Sequence, residues 1–215
     1  MEDNMDNEMA VAGRVSLKKI DGTTRAPLMW RLKNTLRWSY ISAWIGVMLV
    51  APLAQRFGLL VGWAELQLVV IKADGRRIDY GVVSRRVVTD AGVAYIVDDW
   101  DGGANTIDLF NYHGLGTGTN AEAAGDTSLQ TECTTALNPD NTRATGTKSQ
   151  PTAPQMRTVG TLTFDASAAV TEHGILTQAA TGGGTLLDRS QFTAVNVVSG
   201  DSIQATYTLT LSSGG

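Results

Sequence analysis

His113 and His173 are the only two histidines in this sequence, and so the only side chains whose ordinary pKa suits proton transfer near neutrality. Glu172 stands beside His173 in Thr171-Glu172-His173-Gly174-Ile175, a pairing that an acid–base catalyst could use. On a strand, however, adjacent side chains point to opposite faces, so these two groups diverge. The expected role is a hydrogen-bonded structural histidine at a strand bend. His113 opens the run His113-Gly114-Leu115-Gly116-Thr117-Gly118-Thr119, whose glycines suggest a phosphate loop. No Gly-Lys-Ser/Thr ending follows, and no strand–helix–strand unit sets a helix N-terminus against a phosphate, so a structural turn is expected. Cys133, in Thr131-Glu132-Cys133-Thr134-Thr135, has no basic neighbour to lower its pKa and reads as a quiet thiol. A single cysteine also excludes an internal disulfide and a cysteine-based zinc site. No nucleophile elbow Gly-x-Ser-x-Gly occurs. The sequence therefore assigns no catalytic, cofactor-binding or metal residue, and an enzyme is not expected.

Contact chemistry is better represented. Arg76, Arg77, Arg85 and Arg86 fall on the two arms of one expected hairpin, where some of the guanidiniums could cluster and pair with carboxylates of a partner. Trp30, Trp38, Trp44 and Trp63 place four of the five tryptophans between Leu28 and Trp63. Large aromatics contribute most at protein interfaces, so these eight residues are the candidate interface.

Which elements hold them? The chain has 215 residues and 18% charged side chains, below the usual share of about 25%. Charge is distributed unevenly: residues 1–10 carry −4, residues 11–100 carry +6 and residues 101–215 carry −6. The net −4 argues against nucleic-acid binding by the whole chain. Residues 1–28 read as a flexible arm because the tip, Met1 to Glu8, is acidic with almost nothing to bury. Met29 opens a run that would serve equally well as an initiator, which would make the preceding segment dispensable.

Residues 29–63 read as a helical docking segment: Arg31, Lys33 and Arg37 interrupt an apolar run, and Tyr40 to Ala54 carries no charge. Those fifteen residues would span roughly 22 Å as a helix, short of a hydrocarbon core near 30 Å, and Pro52 bends or ends the helix. The basic flank keeps a membrane anchor over 38–54 as an alternative, with burial against a protein favoured.

Glu65 to Lys72 and Ile78 to Val88, joined by Asp74-Gly75, form the clearest hairpin. Thr89 can cap a short helix ending before Trp100. Beyond residue 101, 22 of 115 residues are Thr, and short apolar runs alternate with turn residues such as Asn138-Pro139-Asp140-Asn141 and Gly182-Gly183-Gly184. The expected strands are Thr106 to Tyr112, Asn141 to Lys148, Met156 to Phe164, Ala169 to Gln178, Thr185 to Arg189, Phe192 to Val198 and Ser202 to Leu211. The expected fold is mainly β: an antiparallel β-sandwich or jelly-roll-like domain over 64–215, with an N-terminal helical apolar segment.

From Val87 onward the sequence resembles a family of tailed-bacteriophage virion structural proteins. The matching pieces are Val87-Val88-Thr89-Asp90-Ala91-Gly92-Val93, Tyr112 to Thr119, Asp126 to Glu132, Thr142 to Thr147, Val170 to Leu176, Leu187-Asp188-Arg189 and Ser199 to Leu211. The resemblance implies a β-rich virion component without enzymatic activity. Both capsid decoration (cement) proteins and tail, neck or fibre components look like this. A compact body with an apolar docking segment favours the cement role on the head surface. The partners expected are the major capsid protein and sister subunits, with a homotrimer from the threefold positions of a shell. No cofactor, nucleic acid or small-molecule substrate is expected, and a membrane is the weaker alternative.

Overall fold

The computed structural model describes residues 23–57, 59, 61–86 and 88–213. In chain order the elements are β1 (Thr23–Arg25), α1 (Leu28–Thr35), α2 (Trp38–Ile45), a π-helical turn (Gly46–Val50), α3 (Ala51–Arg56), β2 (Val61–Ile71), β3 (Arg77–Arg86) and α4 (Asp90–Trp100). There follow a 3-10 turn (Ile107–Leu109), β4 (Tyr112–Gly116), β5 (Leu137–Asn138), β6 (Ala144–Thr145), β7 (Thr147–Ser149), β8 (Gln155–Phe164), β9 (Ala168–Leu176), β10 (Leu186–Val197) and β11 (Ser202–Ser212). The protein is mainly β, built from two sheets. One has the order β1-β3-β2-β11-β8-β5, with β7 also on β8; the other is β10-β9-β4-β6. All pairings are antiparallel except β1 with β3.

Alternation along the strands explains how the sheets meet. On β2, Leu66, Leu68 and Val70 are buried; on β11, Ile203 and Ala205; on β8, Leu162 and Phe164. These pack with Leu115 of β4, Val170 of β9 and Phe192, Val195 and Val197 of β10 in one core shared by both sheets, the arrangement of a β-sandwich. The intervening Gln204, Thr206, Val159 and Thr161 of the first sheet face outward, where threonine suits both a strand and water. A second apolar cluster joins Tyr95 of α4 to Phe110, Ile175, Leu187, Tyr207 and Leu209.

The β2–β3 hairpin turns at Asp74-Gly75, where Gly75 has φ +82°, a conformation that glycine adopts without penalty. At the same end Asp201, in the β10–β11 turn, takes Lys72 and accepts from the backbone N–H groups of Ala73 (3.1 Å) and Val198 (3.0 Å). Helix α4 begins at Thr89, whose Oγ1 accepts from Gly92 N at 3.0 Å and donates to the Leu186 carbonyl at 2.7 Å. The π-helical turn before α3 precedes Pro52, whose missing N–H leaves the Met48 carbonyl without its i+4 partner.

Several boundaries differ from the sequence reading. Residues 1–22 of the expected arm lie outside the described residues, and Thr23–Arg25 is a sheet edge. Trp63 belongs to β2, not to the helical segment. Residues 106–111 form a 3-10 turn and a loop, and the strand starts at Tyr112, so His113-Gly114-Leu115-Gly116 is a buried strand rather than a turn. Its glycines allow close packing, since a Cβ on Gly116 would lie 2.5 Å from the Thr131 carbonyl. The expected strands Thr185 to Arg189 and Phe192 to Val198 are one, β10, with an irregularity between Gln191 and Val195. Asn141 to Lys148 divides into β6 and β7 at Gly146, whose missing side chain leaves room for Thr158.

Candidate functional site

The two histidines, sixty positions apart, meet between the sheets. His113 of β4 and His173 of β9 are both 0% exposed, with His113 Nδ1 3.0 Å from His173 Nε2. His113 Nε2 lies 3.1 Å from Thr158 Oγ1, which donates to Asn111 Oδ1 at 3.2 Å. Thr158 spends its one hydrogen on Asn111, so His113 Nε2 must donate to Thr158. His113 Nδ1 is then an acceptor, and His173 Nε2 donates to it. That leaves His173 Nδ1 as a bare acceptor with no partner among the described residues. Burial pushes the His113 pKa down to about 3, and burial with the neighbouring His113 holds His173 well below its usual range. Two glycines admit the rings: a Cβ on Gly160 would lie 2.6 Å from the His113 ring, and one on Gly146 would lie 1.9 Å from Thr158 Oγ1.

Glu172 points the other way, as the strand alternation requires. Its carboxylate is 0% exposed and fastens both ends of the segment that covers the second sheet. Oε1 accepts from Gly118 N (3.0 Å) and Thr131 N (2.7 Å); Oε2 accepts from Gln130 N (3.0 Å) and Arg189 Nε (2.8 Å). Arg189 continues to Asp126 at 3.0 Å and to the Asn120 carbonyl at 3.3 Å. Burial alone would lower the Arg189 pKa, but the bonds to Glu172 and Asp126 outweigh it and raise the pKa. A second pair works alike. Arg143 meets Glu132 through Nε (2.5 Å) and an NH2 contact (2.9 Å), and its NH1 donates to the carbonyls of Gln178 and Gly183. Glu132 also accepts from Gly182 N at 3.1 Å, so the Gly182–Gly184 loop is tied down. The carboxylates of Glu172 and Glu132 have their acceptors committed inside the protein, and the histidines bond each other and Thr158. What the arrangement does chemically is hold loops.

Cys133 is buried, and burial together with Glu172 and Glu132 raises its pKa to about 11. At pH 8 the native thiol should therefore resist iodoacetamide, reacting at least about tenfold slower than in 6 M urea. Equal rates, followed by mass spectrometry, would contradict this placement.

The eight candidate interface residues divide by location. Trp30 turns inward: its indole N–H donates to the Ala194 carbonyl at 2.8 Å, and its ring meets Tyr80 edge-on at 4.6 Å. Beside it Asn34, 2% exposed, donates to the Val83 carbonyl and accepts from Thr193 N, both at 2.9 Å. Arg37 donates to the Gln191 carbonyl at 2.5 Å. Helix α1 thus bridges β3 of one sheet to the irregular stretch of β10 in the other. Trp44 is exposed, at the rim of a shallow hollow with Tyr40, Ile41 and Arg85. Trp63 is half-buried on β2 opposite Thr210. The side chains of Trp38 and Arg86 lie outside the described residues.

Arg77 and Arg85 do not converge. Arg77 pairs with Ile71 and Arg85 with Glu65, six residues along β2, or about 20 Å. Arg76 bonds Asp74 in its own turn (2.6 Å), Arg77 reaches Gln204 (3.0 Å), and Arg85 bonds Glu65 (2.7 Å) and Tyr40 Oη (2.8 Å).

Sequence reasoning marked residues 29–63 as an apolar docking segment; the structure adds which of its side chains the body leaves uncovered. Leu28, Met29, Leu36, Leu49, Val50 and Phe57 are each at least 60% exposed. No described helix is long and apolar enough to cross a membrane. Among the described residues no group of three or more His, Cys, Asp or Glu could hold a metal ion. The chain matches no family model, no curated protein and no solved structure with which it was compared.

Proposed function

We propose that this protein is a structural component of a tailed-bacteriophage virion. In this reading it is a decoration or cement protein on the outside of the head, where it strengthens contacts between capsomers. The body is a jelly-roll-like sandwich, and the N-terminal helical segment docks onto the major capsid protein or a sister subunit. The observation that carries the reading is the exposed apolar side chains of residues 28–59 on a body whose buried carboxylate Glu172 is committed to holding a loop. Monomeric soluble proteins rarely expose contiguous apolar patches of more than a few hundred Å2, and larger ones mark interaction sites. The sequence resemblance from Val87 onward supports the same assignment. It is shared by tail, neck and fibre components, which form the second reading.

The test uses heads that lack the protein, to which purified chain is added back. The parent should saturate them, and Leu49→Asp/Phe57→Asp should reduce occupancy at least about tenfold while melting at the parental temperature. Undiminished occupancy would remove the docking role of these helices.

A further inference from the structure

We propose that the helical face of one copy docks onto the α4 face of a second copy of this chain, in a head-to-tail contact. The proposal narrows the docking role given above to a sister subunit.

Two separate surfaces combine exposed apolar side chains with charge of one sign. The first is the α1–α3 face, with Leu36 (73% exposed), Leu49 (68%) and Phe57 (75%). Residues 28–60 contain four cations, Arg31, Lys33, Arg37 and Arg56, and no carboxylate. Arg37 is committed to Gln191, whereas Lys33 and Arg56 are exposed. The second surface is the outer side of α4, with Val93 (49%), Val97 (53%) and Trp100 (66%). Residues 89–110 contain five aspartates and no Lys or Arg. Lys148 sits beside the backbone of Asp108, while Asp98 and Asp101 are exposed with Trp100 and Asp99 is half-buried toward the side of Gly92 and Tyr95.

Apolar area supplies association, and the charges decide orientation. Contact of the helical face with its own copy would oppose cation to cation and leave α4 uncovered. Helical face against α4 pairs cations with carboxylates and covers both apolar patches at once. Because the two patches are different surfaces, the contact is heterologous, and repeating it closes a ring when the rotation allows. A ring of three fits a threefold position of a shell. An anionic lipid surface would also suit the basic helices, but it would leave the apolar side of α4, with Trp100, exposed.

The experiment is sedimentation velocity on the full chain at tens of micromolar. The parent should self-associate, and association should weaken as salt rises, since the paired charges are screened. Lys33→Glu/Arg56→Glu and Asp98→Lys/Asp101→Lys should each weaken association at least about tenfold. The quadruple variant carrying both sets should recover it. Positions 98 and 101 are exposed at the C-terminal end of α4, where cations suit the helix dipole, so the fold should tolerate lysine there. A monomeric parent overturns the proposal, and so does association that neither reversal weakens or that the quadruple variant fails to recover. Binding of the monomeric parent to vesicles of anionic lipid also overturns it and assigns the face to a membrane. Loss of association with rising salt needs no variant, so it decides the matter if a variant misfolds. A chain that self-associates but labels the tail would retain this contact and lose the head assignment.

Discussion

Replacing Glu172 with Ala should destabilise the protein by about 3–5 kcal/mol, a third or more of the stability of a typical domain. The substitution removes the acceptor of three backbone N–H groups, at 118, 130 and 131, and leaves the Arg189 guanidinium buried without its closest carboxylate. Each bond to a charged group is worth about 1.5–3 kcal/mol, and the stranded charge adds its own penalty. Glu172→Gln should fare little better, because its NH2 would face either donors of the loop or Arg189. The damage should also be localised. Hydrogen exchange at Gly118, Gln130 and Thr131 should accelerate before exchange in β2 and β11, whose ladder does not pass through Glu172. A loss under about 1 kcal/mol in urea unfolding, or uniform acceleration over all strands, would refute this role.

The second large effect is sensitivity to acid. The pKa values of His113 and His173 are depressed in the folded protein, while the unfolded chain titrates them near 6.5. Below pH 6.5 the unfolded state therefore binds protons that the native state refuses, so stability is complete above that pH and falls as pH drops toward the folded values. Wherever both imidazoles stay neutral in the folded protein and are protonated in the unfolded chain, the slope approaches about 3 kcal/mol per pH unit. Asp201 titrates below its ordinary value because Lys72 and two backbone N–H groups overcome its burial, so its contribution falls away at lower pH than the histidine window. The His113→Asn/His173→Leu variant should lose the slope over pH 4.5–6.5 whatever its absolute stability. Equal slopes in parent and variant, from urea midpoints across that range, would contradict the buried neutral pair.

Local chemistry in the sequence reached as far as single elements. Asp74-Gly75 identified the hairpin turn and Thr89 the cap of α4, because each depends on residues within a few positions. Strand alternation also separated Glu172 from His173. What each then meets is invisible at that range: Glu172 finds partners at 118, 130, 131 and 189, and His173 finds His113, sixty residues earlier. The pairing of β9 with β4 and with β10 across the second sheet brings these groups together. The Gly-rich run after His113 read as a turn because glycine usually marks one. Here it gives the covering segment and the Glu172 side chain room to approach β4.

The interface residues show the same limit. Composition marked 29–63 as a place where large apolar side chains gather, but it could not say which ones the body itself consumes. Trp30 is spent on Ala194 and Tyr80, and Arg85 on Glu65 and Tyr40. Trp44, Leu49 and Phe57 are left facing outward. The polar bridge from Trp30, Asn34 and Arg37 to β3 and β10 seats α1 on the body. That seat gives the apolar helices a fixed base from which to reach a partner.

The proposed role on the virion head is tested most directly by finding the protein on intact particles, with a gold-labelled antibody against an exposed part of residues 101–215 viewed by electron microscopy. Label distributed over the whole head surface is the result this account predicts. Label confined to the tail, or to the single vertex where the tail joins, would contradict it.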